Sequence, residues 1–176
     1  SSWSKLNPGL STDLFSLSIP HEDSVFLGSE SGKVLFSANK GTTWSSISTA
    51  FSQSISSIKA ENNGHWLLAG ANGAAGVSVD FGKTVSLFNL GTAADLTDIG
   101  SWDSGLQNIV ITAADGKAYL STNSGQNFTL INYGTELALG LNIISMTPDQ
   151  RLFMIGKSGS LIRSVDAGRT WTKVMM

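Results

Sequence analysis

The 176-residue chain carries 11 basic and 13 acidic residues with no block of either sign, so electrostatic capture of nucleic acid or an anionic membrane has no footing. It has no cysteine, which excludes disulfides, thiol catalysis and thiolate metal sites together, and no apolar run approaches the length of a membrane span. Its 19 glycines, its many Ser, Thr and Asn residues and its 14% charged content describe short strands joined by tight turns, an all-β chain forming one domain over residues 1–176.

The opening Ser1-Ser2-Trp3 has neither a methionine nor a signal-peptide pattern, as expected of a trimmed or processed chain. A first apolar run covers Leu14 to Ile19, and the polar turn His21-Glu22-Asp23 separates it from a second run, Ser24 to Gly28. After Glu30-Ser31-Gly32, a third run from Lys33 to Ser37 leads into the octapeptide SANKGTTW, Ser37 to Trp44. The same order recurs with runs at Ile55 to Ala60, His65 to Ala69 and Gly76 to Val79 before SVDFGKTV, Ser78 to Val85. It recurs again at Leu96 to Trp102, Asn108 to Thr112 and Lys117 to Ser121 before STNSGQNF, Ser121 to Phe128. Leu141 to Met146, Arg151 to Gly156 and Ser160 to Ser164 precede the last copy, SVDAGRTW, Ser164 to Trp171. Asn72-Gly73, Asp115-Gly116 and Ser158-Gly159 are hairpin signals between second and third runs.

The octapeptides start 41, 43 and 43 residues apart, a near-constant period that marks a repeated supersecondary unit. Within each, an Asp or Asn (Asn39, Asp80, Asn123, Asp166) is placed to cap backbone N–H groups, and the glycine two positions on (Gly41, Gly82, Gly125, Gly168) can take a positive φ. The leading serines are Ser37, Ser78, Ser121 and Ser164, and the bulky residues Trp44, Val85, Phe128 and Trp171 are expected to be buried as anchors of the turn. Three strands before each octapeptide and one after it make a four-stranded antiparallel unit, the requirement of a β-propeller blade. The repeats run approximately 3–44, 44–85, 85–128 and 128–171. Trp3-Ser4-Lys5-Leu6 matches Trp171-Thr172-Lys173-Val174, so a surplus fifth outer strand is expected. The ring is then a four-bladed monomer with a spare strand, a segment of a larger ring, or a ring completed by a second chain.

On these octapeptides the chain resembles the BNR or Asp-box propellers, which include sialidases, xyloglucan-degrading enzymes, sortilin-type receptors and photosystem II assembly factors. The resemblance implies that the box residues mark the fold and lie opposite the functional cleft. Sialidases hold substrate with three arginines and use a Tyr–Glu nucleophile pair; here Arg169 lies within a box, leaving only Arg151 and Arg163, and the triad cannot be assembled. Tyr119 and Tyr133 read as a strand residue and a loop residue. Asp13, Asp95, Asp98, Asp103, Glu136 and Asp149 are glycosidase carboxylates by identity alone, with no spacing to single out a pair. His21 and His65 show no paired ligand spacing, so no metal, cofactor or catalytic residue is predicted.

The loops leading into each first strand and the turns between second and third strands share one face of a propeller. That places Asp13, Glu30, Phe51, Asn72, Asp95, Asp115, Tyr133 and Lys157 on a candidate binding face, with Phe51 and Tyr133 as stacking residues. The expected function is a noncatalytic interaction module for a protein or glycan partner, with a homo-oligomer or ring-completing chain also open. The alternatives are an assembly scaffold similar to the photosystem II assembly factors, whose arginine-rich patch three arginines cannot supply, and a glycoside hydrolase. The low-charge, Ser/Thr/Asn-rich composition permits a secreted, periplasmic or virion-surface home.

Overall fold

The structure, a computed structural model, describes residues 4–133, 140–147 and 149–174. Among them lie four antiparallel sheets of four strands, each a simple meander. The first sheet contains β1 (Leu14–His21), β2 (Ser24–Ser29), β3 (Val34–Ser37) and β4 (Ser45–Ile47). The second contains β5 (Ile55–Ala60), β6 (Trp66–Gly70), β7 (Ala74–Ser78) and β8 (Ser86–Asn89). The third contains β9 (Leu96–Ser101), β10 (Ile109–Ala113), β11 (Ala118–Ser121) and β12 (Thr129–Leu130). The fourth contains β13 (Leu141–Met146), β14 (Leu152–Gly156), β15 (Leu161–Ser164) and β16 (Thr172–Lys173).

Successive sheets pack face to face through their first strands, β1 on β5, β5 on β9 and β9 on β13, as in a β-propeller. β13 and β1 do not pack together in this way, so the ring stays open between the fourth and first sheets. The core lies in the three junctions. Phe26, Ile58, Trp66 and Leu68 fill the first, with Phe26 edge-on to the Trp66 ring at 4.5 Å. Leu67, Ile99, Ile109 and Ile111 fill the second, and Val110, Ile144, Leu152 and Met154 the third. β6 and β10 are buried along their whole length because a neighbouring sheet covers each of their faces, which is why WLLAG and IVITA are continuous apolar runs rather than alternating ones.

The repeat extends to an irregularity invisible in the sequence. Each first strand carries a bulge at the same place, at Phe15, Ser56, Thr97 and Asn142. Two bulged hydroxyls cross to the next sheet: Ser56 donates to the Leu96 carbonyl and Thr97 to the Leu141 carbonyl, the latter at 2.8 Å. In the first sheet the neighbouring Ser16 does this instead, donating to the Ile55 carbonyl at 3.3 Å.

Two expectations are corrected. The surplus outer strand joins no sheet: Ser4–Leu6 has no ladder partner, Leu6 lies against the glycine of the first box, and Trp3 falls outside the described residues. The first sheet already owns its fourth strand, β4, and leaves no position for another there. The box anchors Trp44, Val85, Phe128 and Trp171 are half-buried rather than buried: each stands just before a short outer strand, at the edge of its junction, where Phe128 still stacks on Phe88 of the preceding sheet at 5.3 Å. The buried tryptophan is Trp66, 1% exposed in the first junction. Trp66→Ala is therefore expected to cost about 3–5 kcal/mol and Trp44→Ala clearly less, as read from urea unfolding midpoints.

Candidate binding face

The chain reversals fall at two ends of the sheets. At one end, each second turn is tied to the loop leading into its own sheet: the Glu30 N–H donates to the Asp13 carbonyl at 2.9 Å, Ala71 to Ser54 at 3.1 Å, Ala114 to Asp95 at 2.8 Å and Lys157 to Gly140 at 3.0 Å. The loop that runs on to the following sheet lies over the same turn. Thr49 Oγ1 donates to the Gly32 carbonyl at 2.6 Å and the Asn72 N–H to Asp95 Oδ1 at 2.9 Å, while Thr92 Oγ1, in the loop leading into the third sheet, donates to Asp115 Oδ2 in that sheet's own second turn at 3.0 Å. A β-carbon on Gly73 would lie 2.0 Å from the Thr92 carbonyl oxygen, so close approach as well as its φ of +70° requires glycine there.

This end gathers the sequence-predicted residues, with different exposures. Asp13, Glu30, Asn72, Asp95, Asp115 and Lys157 are exposed. Phe51 is not: it is 6% exposed and packs over Gly70 and Gly76, supporting the face from beneath. Tyr133 is half-buried, and burial pushes its phenol up to about 12. Burial would raise Asp115, but hydrogen bonds from Lys117 and Thr92 outweigh it and hold the carboxyl low, with Lys117 Nζ at 2.8 Å. Phe51 and Asn72 converge on one groove of about 410 Å³, completed by Gln53, Leu87, Phe88 and Asn89. Its lining combines apolar side chains with three amides. A second cleft of about 400 Å³ follows the first strands and contains Ser57, Lys59, Glu61 and Asp98.

The opposite end carries the boxes, which are built alike. In the first, Ser37 Oγ accepts the Gly41 N–H at 2.9 Å and donates to Asn39 Oδ1 at 3.0 Å, while Asn39 Oδ1 accepts the Thr43 N–H at 2.8 Å. Ser78–Asp80, Ser121–Asn123 and Ser164–Asp166 repeat the geometry. In the first box Asn39 substitutes for Asp because the threonine hydroxyl reverses its role: Thr84 and Thr170 donate to a carboxylate oxygen, whereas Thr43 Oγ1 accepts from Asn39 Nδ2; in the third, Asn127 replaces the threonine and Asn123 Oδ1 accepts its N–H. The turn needs more than the predicted glycine. Lys40, Phe81, Ser124 and Ala167, each just before it, also have positive φ, near +60°.

A fifth turn of this composition was missed. Ser101-Trp102-Asp103-Ser104-Gly105 between β9 and β10 carries S-x-D-x-G, and Asp103 accepts the N–H groups of Gly105, Gln107 and Asn108 at 2.7–3.1 Å. It stands off the 43-residue spacing and ends without an aromatic; the five-residue pattern was the available signal. His65 is buried beneath it with Nδ1 3.1 Å from the Gly105 carbonyl oxygen.

The remaining carboxylates do not converge. Asp98 is half-buried between sheets, accepting from Ser57 Oγ at 3.1 Å and the Ile144 N–H at 3.1 Å, and this burial raises its pKa above the ordinary range. Asp149 is held at about 2 by hydrogen bonds from Arg151 and Thr147. Glu136 lies outside the described residues. Arg151 pairs with Asp149, Arg163 lies on β15 and Arg169 in the fourth box, three separate features. Among the described residues no group of three His, Asp or Glu side chains could hold a metal, and no helix is long and apolar enough to cross a membrane.

The family profile described as photosynthesis system II assembly factor YCF48 matches residues 1–176. No protein of curated function matches the sequence. An ancestral GH74 enzyme shares the fold with TM-score 0.73 and 16% identity, over 92% of this chain and 25% of that one. YCF48 bound to D1 peptide gives 0.72 and 19%, over 98% and 56%, and YCF48 from Cyanidioschyzon merolae gives 0.70 and 18%, over 96% and 58%. The chain thus spans between 25% and 58% of the length of these structures, and identities this low establish the fold alone.

The box hydrogen bonds carry a pH signature. Hydrogen bonds from Thr170 and Ser164 hold Asp166 at about 2, and those from Thr84 lower Asp80. A depressed carboxyl contributes stability above its unfolded value of about 3.9 and loses it as pH falls through the folded one. In acid titrations of unfolding, the gap between the wild type and an Asp80→Asn/Asp166→Asn variant is expected to be constant above about pH 4 and to close toward about pH 2.

Proposed function

The chain belongs to the photosynthesis system II assembly factor YCF48 family, and from that premise we propose that it is a noncatalytic propeller module that captures an extended segment of a partner protein during assembly. The observation that carries this reading is the groove at the loop end. Apolar Leu87 and the amides of Gln53, Asn72 and Asn89 in its lining offer apolar contact and hydrogen bonds to a peptide backbone without demanding charge. Support comes from the solved YCF48 that carries a D1 peptide on the same fold.

A glycan ligand is less well supported, because Phe51 lies beneath the surface and cannot offer a stacking face. The glycosidase alternative finds its carboxylates occupied: Asp95 holds the Asn72 N–H, Asp98 ties sheets together and Asp103 caps a turn. An arginine-rich patch has no counterpart among Arg151, Arg163 and Arg169.

Calorimetric titration of the 176-residue chain with D1 peptide tests the groove. Leu87→Asp or Asn72→Ala is expected to weaken binding about tenfold or more, ~1.4 kcal/mol, while Lys40→Ala at the box end leaves it unchanged. No binding, or equal losses from both ends, would reject the proposal.

A further inference from the structure

The first turns, between the first and second strands of the sheets, lie at the box end and are tied to their own boxes. The Lys40 N–H donates to the Asp23 carbonyl at 3.0 Å, Phe81 to Gly64 at 3.1 Å and Ser124 to Gln107 at 3.0 Å. The first turns of the second, third and fourth sheets line a pocket of about 410 Å³ that contains Trp102 and Met146 beside Glu61 and Asp103, with Ser101 and Thr147. Trp102 and Met146 also pack on the core of the third junction, which holds them in place.

The polar groups of this pocket differ in what they are free to do. Burial would raise Asp103, but hydrogen bonds from Gln107, Asn108 and Gly105 outweigh it and hold the carboxyl low, so it stands as a fixed negative charge. Ser101 Oγ donates to the Asp103 carbonyl at 3.1 Å, and Thr147 Oγ1 is shared between Asp149 and the Arg151 carbonyl in its own turn. Glu61 holds the place in the second sheet that Thr147 holds in the fourth: each donates its N–H to the carbonyl four residues on, His65 or Arg151, at 2.9 Å. Yet the Glu61 carboxylate accepts no hydrogen bond and enters no ion pair among the described residues. It is half-buried, and burial raises its pKa; Asp103 adds to the rise, and Lys59 and His65 offset only part of it. A carboxylate withdrawn from water beside a second negative charge, with no donor of its own, is costly unless a cation meets it.

The lining narrows the cation. Among the described residues no three metal-binding groups converge, which leaves an organic cation. An indole and a thioether beside the carboxylates favour one that is planar and weakly hydrated, and a guanidinium on its aliphatic stem meets each demand: paired N–H groups for Glu61, a flat face for Trp102 and methylenes for Met146. The volume, near the lower end for ligand sites, suits one side chain. We propose that this pocket is a second binding site, which takes the guanidinium of an arginine side chain on a partner polypeptide, with Glu61 as its ion-pair partner and Trp102 as its stacking surface. The site lies at the opposite end from the groove of Phe51 and Asn72 and stands whether or not that groove binds a peptide.

Titration of the 176-residue chain with an end-blocked Gly-Gly-Arg-Gly-Gly peptide, followed by NMR at the Trp102 indole N–H, tests the site. The resonance is expected to move and saturate. The same peptide carrying citrulline, the uncharged isostere of arginine, is expected to bind about tenfold more weakly or worse, and Glu61→Gln to weaken the arginine peptide as much and to erase the difference between the two peptides. Binding to the wild type is expected to fall as Glu61 takes up its proton, beginning above about pH 4.3, the ordinary glutamate value, a fall absent from Glu61→Gln. Asn72→Ala, at the loop end, is expected to leave the titration unchanged. A Trp102 resonance that does not move, an unchanged affinity in Glu61→Gln, or equal binding of the citrulline peptide, the mark of a site for neutral ligands, would overturn the proposal.

Discussion

The serine hydroxyl at the head of each box is the contact on which the repeat depends. Ser37, Ser78, Ser121 and Ser164 are each at most 3% exposed, and each oxygen accepts the N–H of the box glycine while donating to the Asx side chain. Two successive left-handed residues would otherwise be costly in a turn of this length. With the hydroxyl holding one side and the Asx oxygen the other, the reversal is fixed without help from the sheet. The outer strand can then be short: β12 and β16 have two residues each and survive because the turn delivers them.

That local sufficiency explains why so much of the fold was legible in the sequence. A turn that closes by its own side chains must spell its chemistry out at fixed spacing, and S-x-[DN]-x-G did so four times. The alternating and continuous apolar runs gave the strands for the same reason. The inter-sheet features were hidden because they follow from three-dimensional neighbours. Ser56 and Thr97 are ordinary strand residues in sequence, and only the bulge turns their hydroxyls toward the next sheet. Phe51 could not be told from a surface aromatic, because its burial depends on Gly70 and Gly76, 19 and 25 residues away, leaving room for a ring. The burial of Trp44 was overestimated by the converse error: a tryptophan at the rim has no neighbouring sheet to enclose it.

The division of labour between the two ends follows from hydrogen-bond saturation. At the box end the serine and Asx side chains are spent on their own turns, as is Asp103 in the fifth copy of the pattern. At the loop end main-chain pairs, Glu30 to Asp13 and Lys157 to Gly140 among them, share the ties with the side chains of Thr49, Thr92, Asp95 and Asp115, while the side chains of Glu30 and Lys157 stay exposed. These exposed side chains belong to the candidate binding face. The groove there is lined by amides and apolar side chains rather than by ion pairs, so a ligand held in it would depend weakly on salt.

Openness of the ring bears on the same surface. In a closed propeller the loops at one end are held at fixed radii by neighbours on both sides, whereas here the groove at Phe51 and Asn72 sits between sheets joined on both flanks and the outermost sheets do not. The groove is consequently the best supported part of the loop end, with the first, second and third sheets all contributing to its surroundings through Thr49, Asn72 and Thr92.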